Sequence, residues 1–206
     1  TVAVLNTSID EGSARLMWPV IKLALGSGEA GSRPYFANDG LGPALVDPAV
    51  EFIEENGGEI RFNDRLRALK FTNDQVIGLE FTDRSIEFHG REAVVLAVPP
   101  SGASQLVPDL EVPTETRAIV NAHFRLDRRV TLPDGANILG LVGGTAQWLF
   151  ARDNIASVTV SAADALAERS ADEITEILWR DVATALNLPL APRPPCRVVK
   201  EKRATF

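Results

Sequence analysis

The sequence predicts an α+β fold: a mixed sheet with helices in one lobe, and a β-meander beside a strip of parallel sheet in another. Three observations carry this. Between Asn56 and Pro100 a double-glycine helix stop precedes three short alternating strands, and an almost unbroken apolar run, Ala93 to Val98, ends on Pro99-Pro100. After Pro113 the pattern turns to further strands, at Ala118–Leu126, Ile138–Val142, Gln147–Phe150 and Ile155–Ser161. A strongly periodic helix then opens at Ser170, and extended character resumes from Arg197 to Phe206. No internal repeat interrupts this order.

Ser8 with Glu11 three positions later predicts a capping box. Ala14, Met17, Ile21, Ala24 and Leu25 then recur at helical spacing, and Pro19 is expected to kink or divide that helix. Gly26 to Gly31, rich in small residues, predicts a mobile turn. A second helix is expected from Pro48 to Glu55, with Asp47 as N-cap and Pro48 in the first helical position. Asn56-Gly57-Gly58 ends it, because glycine accepts the left-handed conformation of a helix stop.

Strands follow at Glu59–Phe62, Arg65–Phe71 and Gln75–Phe81, with Ser85–Phe88 as a fourth short one. Ile77, Leu79 and Phe81 alternate with Gly78 and Glu80, so one face of that strand is expected to be buried. Thr72-Asn73-Asp74 and Thr82-Asp83-Arg84 supply turns and make a meander. Ala93–Val98 lacks alternation, as expected of a strand covered on both faces in a parallel sheet. No phosphate-cradling glycine fingerprint is expected before it, so the order reads as a nucleotide-cofactor layout without its first half.

Val107 to Thr114, with Pro108 and Pro113, reads as the crossing into the second lobe. There Gly143-Gly144 predicts a tight turn between two strands. Ser170 with Glu173 forms another capping box, opening a helix to Leu186 that buries Ile174, Ile177, Leu178 and Val182.

Composition narrows the function classes. The chain has 206 residues, 45% hydrophobic and 24% charged, in the usual range of a globular protein. A formal net charge of -7 argues against a nucleic-acid surface. Cys196 is the only cysteine, which rules out an intrachain disulfide and a zinc-finger layout and fits a reducing, cytoplasmic compartment. The apolar helix from Ala14 to Leu25 is too short to span a bilayer. The opening residues carry no initiator methionine and no basic leader, so we expect an internal piece of a larger enzyme.

Chemistry-bearing clusters are few. His89 and His123 lie far apart with no carboxylates at ligand spacing, so no metal site is expected. No Gly-x-Ser-x-Gly elbow occurs, and Cys196 lies in a proline-rich stretch. In Lys200-Glu201-Lys202-Arg203, extended geometry puts Lys200 and Lys202 on one face and Glu201 and Arg203 on the other. The run reads as a charged strand edge, or as one that sends a pair of side chains to a pocket. Trp148 and Phe150 share a strand face, as do Ala122, Phe124 and Leu126. Spacing leaves core and hydrocarbon slot both open for them.

Asn56 to Pro100 resembles the second half of the cofactor domain in the FAD-dependent amine oxidase and phytoene desaturase superfamily. The Gly-Gly-x-Ile segment, the Arg-Leu-x-x-Leu strand and the Val-x-Ala-Val-Pro-Pro closure carry that resemblance. Ile119 to Phe124, the run Gly140-Leu141-Val142-Gly143-Gly144-Thr145-Ala146-Gln147-Trp148-Leu149-Phe150, and Val198 to Phe206 resemble the squalene-associated FAD-dependent desaturases. Val4-Leu5-Asn6-Thr7 and Leu45 to Gly58 fit the same family.

The resemblance implies FAD as cofactor and an apolar isoprenoid as substrate. Residues 1–40 would form a helical part of the substrate lobe, 41–106 a partial FAD-binding domain, and 107–206 the substrate-binding lobe. Leu66, Val98 and Pro99 would lie beside the adenosine half of FAD. Asn121, His123, Trp148 and Phe150 would meet the substrate. Lys200, Lys202 and Arg203 are candidates for a proton donor or a flavin contact. The implied reaction is reductive dehydroxylation of hydroxysqualene to squalene, as in hopanoid biosynthesis. The alternatives are phytoene-type carotenoid desaturation and, from another class, a cofactor-free lipid-binding or interaction module. A cytoplasmic location with transient membrane-surface contact is expected, and oligomeric state is left open. The 206-residue chain alone is expected to be colourless and inactive.

Overall fold

The computed structural model describes residues 2–206, and two units emerge from the local structure of the chain. The first comprises the segment up to Asn38 together with Glu115–Phe206, and the second is Asp39–Thr114. In the first, α1 (Val2–Leu5) leads to Asn6, a buried residue at a φ of 48°. Its carboxamide donates to the Arg117 carbonyl (3.3 Å) and Thr205 Oγ1 (2.8 Å) and accepts from the Ala162 backbone N–H (2.6 Å). One side chain thus ties three strand ends to the N-terminal segment.

The Ser8–Glu11 capping box does not form. Ser8 instead closes a turn through its carbonyl with the Gly12 N–H, at 2.9 Å, and Glu11 accepts from Arg117 at 2.7 Å. Helix α2 runs unbroken from Ala14 to Ala24 with Pro19 inside it, rather than being divided there. Part of the small-residue turn that follows is itself helical, as α3 (Gly28–Ser32).

In the second unit, a π-helical turn at Gly42–Val46 leads directly into α4 (Asp47–Glu55). Because the chain is already helical, Val46 takes the N-cap position and Asp47 falls within the helix. Gly57, at a φ of 79°, donates to the Glu54 carbonyl, and Gly58 donates to that of Ile53 at 2.8 Å. This pair of bonds is a Schellman stop, which needs the left-handed residue that glycine supplies. Strands β1 (Leu66–Thr72), β2 (Gln75–Phe81) and β3 (Ser85–Glu87) form the antiparallel meander in that order. Asn73 and Asp74 both adopt positive φ in the hairpin turn, as a two-residue connection requires. Helix α5 (Pro100–Leu106) follows Pro99.

Two expected strands of this unit are absent. Glu59–Phe62 is not paired; Arg61 binds Glu59 at 2.6 Å, and Arg84 fixes the following Asp64 while lying 4.2 Å above the Phe81 ring. Ala93–Val98 is neither a strand nor buried, with Val95 89% exposed. A central parallel strand needs a hydrogen-bonded neighbour on each side, and the described residues supply none. Every ladder among them is antiparallel, so the α+β class holds without a mixed sheet.

The main sheet of the first unit contains β4 (Arg117–Arg125), β5 (Ile138–Gly140), β6 (Trp148–Arg152), β7 (Ile155–Val160) and β8 (Cys196–Thr205). Its order is β5-β6-β7-β4-β8. Helix α6 (Asp164–Ala167) and helix α7 (Ala171–Ala185) follow β7. The Ser170–Glu173 capping box forms at the start of α7, with each residue accepting from the other's backbone N–H. Val120, Ala122, Phe124, Leu149 and Val158 are fully buried on one sheet face, beneath Ile174, Leu178 and Val182 of α7. Phe124 meets Trp179 at a ring-centroid distance of 5.3 Å, and the Trp179 indole N–H donates to the Leu190 carbonyl. Burying Trp179 is tolerable because that polar handle has a partner.

Candidate functional site

The second face of the same sheet carries the candidate site. Strand β4 alternates strictly, with Ala118, Val120, Ala122 and Phe124 buried and Ile119, Asn121 and His123 half-buried on the opposite face. Residues directly opposite in neighbouring strands share a face. The ladder therefore defines two transverse rows: Trp148, Thr159, Asn121 and Val199 in one, Phe150, Ser157, His123 and Arg197 in the next. Asn121, His123, Trp148 and Phe150 thus come together on one accessible surface.

In each row a hydroxyl from β7 holds the polar residue of β4. Thr159 Oγ1 donates to Asn121 Oδ1 at 2.7 Å, and Ser157 Oγ lies 2.8 Å from His123 Nδ1. These bonds leave the Asn121 amide N–H2 and His123 Nε2 free for a ligand. Burial lowers the His123 pKa below its ordinary value, and the Arg197 guanidinium lowers it further, so the ring is neutral near pH 7. A groove of about 460 Å³ opens here, lined by Phe36, His123, Phe150, Arg152, Ile155 and Ser157 among others. Arg152 donates to the Ala37 carbonyl at 3.2 Å and so holds the Phe36–Asn38 segment at the groove's side.

Glycines beside β6 have identifiable structural causes. A Cβ on Gly140 would meet the Trp148 ring at 3.4 Å, so the indole lies over Gly140. A Cβ on Gly144 would lie 2.7 Å from Asp181 Oδ1, and Asp181 Oδ2 accepts from the Ala146 N–H at 2.7 Å. The Gly143–Ala146 loop is thereby fixed to α7, which orients the start of β6 and its two aromatic rings.

Other predicted site residues fall elsewhere. Lys200 and Lys202 lie at the helical side of the sheet, where Lys200 donates to the Arg169 carbonyl and Lys202 to Glu168 at 2.7 Å. They are not brought together with His123. Arg203 is exposed in the irregular end of β8, its backbone N–H bonded to Glu201 at 3.1 Å. Leu66, Val98 and Pro99 belong to the other unit, Leu66 on β1 and Pro99 at the N-cap of α5. Among the described residues no group of His, Cys, Asp or Glu is placed to hold a metal, and no helix is long and apolar enough to cross a membrane. Ser157, Thr159 and Asp181 were not among the predicted site residues. Ser157 and Thr159 had a visible signal, since hydroxyl residues alternate with Ala156, Val158 and Val160. The Asp181 contact spans 35 residues and leaves no local trace.

The family model described as flavin containing amine oxidoreductase matches residues 7–199. The chain belongs to that family. Proteins similar to it include the hydroxysqualene dehydroxylase of Sinorhizobium fredii, 42% identical over all of this chain and 48% of that protein. Those of Rhodopseudomonas palustris and Zymomonas mobilis are 39% and 37% identical, again over the whole chain and 48% and 49% of their lengths. The chain spans about half the length of the curated relatives it matches. Solved structures of putrescine oxidase share the fold: a triple mutant aligns at a TM-score of 0.56 and 18% identity over 79% of this chain and 40% of its own. The wild type bound to putrescine aligns at 0.51 and 20% identity over 76% and 38%.

Flavin is the cofactor of this family, and Leu66, Val98 and Pro99 are the residues expected beside its adenosine half. Leu66 is half-buried on β1, and Val98 and Pro99 are exposed ahead of α5, so what they offer a bound group is backbone and apolar surface. Contrary to expectation, the literal spacing Gly-x-Gly-x-x-Gly does occur, at Gly26-Ser27-Gly28-Glu29-Ala30-Gly31. It begins just after α2, follows no strand, and runs into α3, a helix of only five residues. The strand-to-helix geometry that makes this spacing a phosphate site is therefore missing.

Proposed function

We propose that this chain is part of an FAD-dependent oxidoreductase that removes the hydroxyl of hydroxysqualene reductively to give squalene. The carrying observation is 37–42% identity, along the whole chain, to three proteins named hydroxysqualene dehydroxylase. Removing an allylic hydroxyl takes one hydride to carbon and one proton to oxygen, giving hydrocarbon and water. The hydride is what a flavin supplies when bound. This chain's own contribution is a slot that orients a long hydrocarbon and excludes water.

The accessible sheet face supports that reading. Trp148 and Phe150 offer aromatic area to an isoprenoid chain, which binds chiefly by leaving water. Asn121 and His123 add free polar atoms beside them. Leu66, Val98 and Pro99 would contact the adenosine half of FAD. Engagement of Lys200 and Lys202 on the helical side speaks against their donating a proton at this face, and Arg203 is kept as a candidate flavin contact. The test is product analysis with a flavin-loaded, full-length polypeptide containing this span, supplied either with hydroxysqualene and a reductant or with phytoene and an electron acceptor. Squalene from hydroxysqualene is expected. A desaturated product from phytoene, with hydroxysqualene untouched, would favour the carotenoid-type alternative and overturn the proposal.

A further inference from the structure

We infer that the Ser157–His123 pair selects an isoprenoid that carries a hydroxyl over the bare hydrocarbon of the same length. This deepens the proposed function and rests on it. A floor for pure hydrocarbon has no use for polar side chains, since each one covered by an apolar chain loses its water. Around His123 this face carries the apolar side chains of Trp148, Phe150 and Ile155, with the β7 hydroxyls Ser157 and Thr159 each bonded to a polar residue of β4. Yet the middle of the face holds an imidazole, in a groove, with one ring nitrogen already committed to Ser157 at 2.8 Å.

That commitment gives the free nitrogen a direction and a role. With the Ser157 hydroxyl donating to Nδ1, the neutral ring carries its proton on Nε2, which becomes a donor toward the groove. In the other arrangement Nδ1 donates to Ser157 and Nε2 becomes an acceptor. A substrate hydroxyl, both donor and acceptor, satisfies either one. A hydrocarbon satisfies neither and leaves a desolvated ring nitrogen without a partner. Sites built to bond a hydroxyl reject analogues lacking it far more strongly than apolar pockets reject an added group. The same logic weakens the hold on squalene once the hydroxyl has left, which favours product release. Arg197 across the ladder and Arg152 at the groove mouth are the charged side chains nearest the ring in sequence register and lining. Neither supplies a carboxylate that would compete for Nε2.

The experiment is equilibrium binding of hydroxysqualene and of squalene, in matched detergent micelles, to the flavin-loaded full-length protein. Wild type is expected to prefer hydroxysqualene by about tenfold or more. His123→Leu should bring the ratio near unity by weakening hydroxysqualene and tightening squalene, whose penalty at the ring nitrogen is removed. His123→Gln, whose amide reaches near the Nε2 position, should retain most of the preference. Ser157→Ala should lower it, which provides a second reading should His123→Leu lose its flavin. A wild-type preference that persists in both His123→Leu and Ser157→Ala overturns the role of the pair and leaves the isoprenoid floor intact. Failure of wild type to bind either ligand overturns the proposed function itself, and this inference with it.

Discussion

Gly144→Ala tests how the candidate face is held in place. The new methyl carbon would lie 2.7–2.9 Å from all three atoms of the Asp181 carboxyl group. Normal contact needs more than half an ångström beyond that, and Asp181 is too short to bend away while keeping its bond to the Ala146 N–H at 2.7 Å. Ala146 is fully buried, so water cannot replace the lost acceptor. Overpacking and an orphaned buried N–H each cost about 1–3 kcal/mol, and relief of one brings on the other, so we expect a loss of about 2–3 kcal/mol. Asp181→Ala alone should cost about 1–3 kcal/mol by orphaning the same N–H. On that background Gly144→Ala meets no carboxylate and should add little, so the two losses should fall short of additivity by about 2 kcal/mol. Urea titration followed by tryptophan fluorescence reads this directly, because Trp18, Trp148 and Trp179 are the chain's three tryptophans and all lie in the affected unit. Additive losses, or a Gly144→Ala variant as stable as wild type, would refute the steric account.

Two further expectations follow from the site. Because the folded His123 pKa lies below its ordinary value of 6.5, the unfolded chain binds the proton more tightly; this contribution to stability is complete above about pH 6.5 and is lost as pH falls below it. Urea midpoints at pH 7.5 and 5.0 should therefore diverge more for wild type than for His123→Gln, and equal responses would contradict it. The 206-residue chain expressed alone should be colourless, since its described residues form no pyrophosphate cradle. A yellow preparation with one FAD per chain, by absorbance, would show that this span holds the cofactor unaided.

Local patterns made much of the fold readable. Gln75–Phe81 is a strand over those very residues, because its alternation and both flanking turns lie in one short window. Helix α7 is legible for the same reason, its cap being set by Ser170 and Glu173 and its buried stripe by helical spacing. Ala93–Val98 misleads because an apolar run states a preference for burial without naming what covers it. Ser8 and Glu11 mislead because Arg117, more than a hundred residues away, takes the glutamate. Within the site, Trp148 and Phe150 announce themselves by size. The hydroxyls of Ser157 and Thr159 show only as an alternation with Ala156 and Val158, which reads equally well as a solvent face. Only the register of β4 against β7 shows that they hold His123 and Asn121.

Strand β4 explains why such a site sits on this sheet rather than on a loop. Its even-numbered residues from Ala118 to Phe124 are locked against α7 with almost no exposure, so the strand cannot slide or rotate. A one-residue slip would carry Asn121 and His123 into that core and Val120 and Ala122 out of it. The cost of burying two polar side chains without partners, at about 1–3 kcal/mol each, adds to the loss of the packed face. Core packing therefore fixes where Nε2 of His123 points to within the freedom of one side chain, and Ser157 removes most of that freedom. The apolar face of β4 thus supplies the rigidity that the proposed selective binding on its polar face requires.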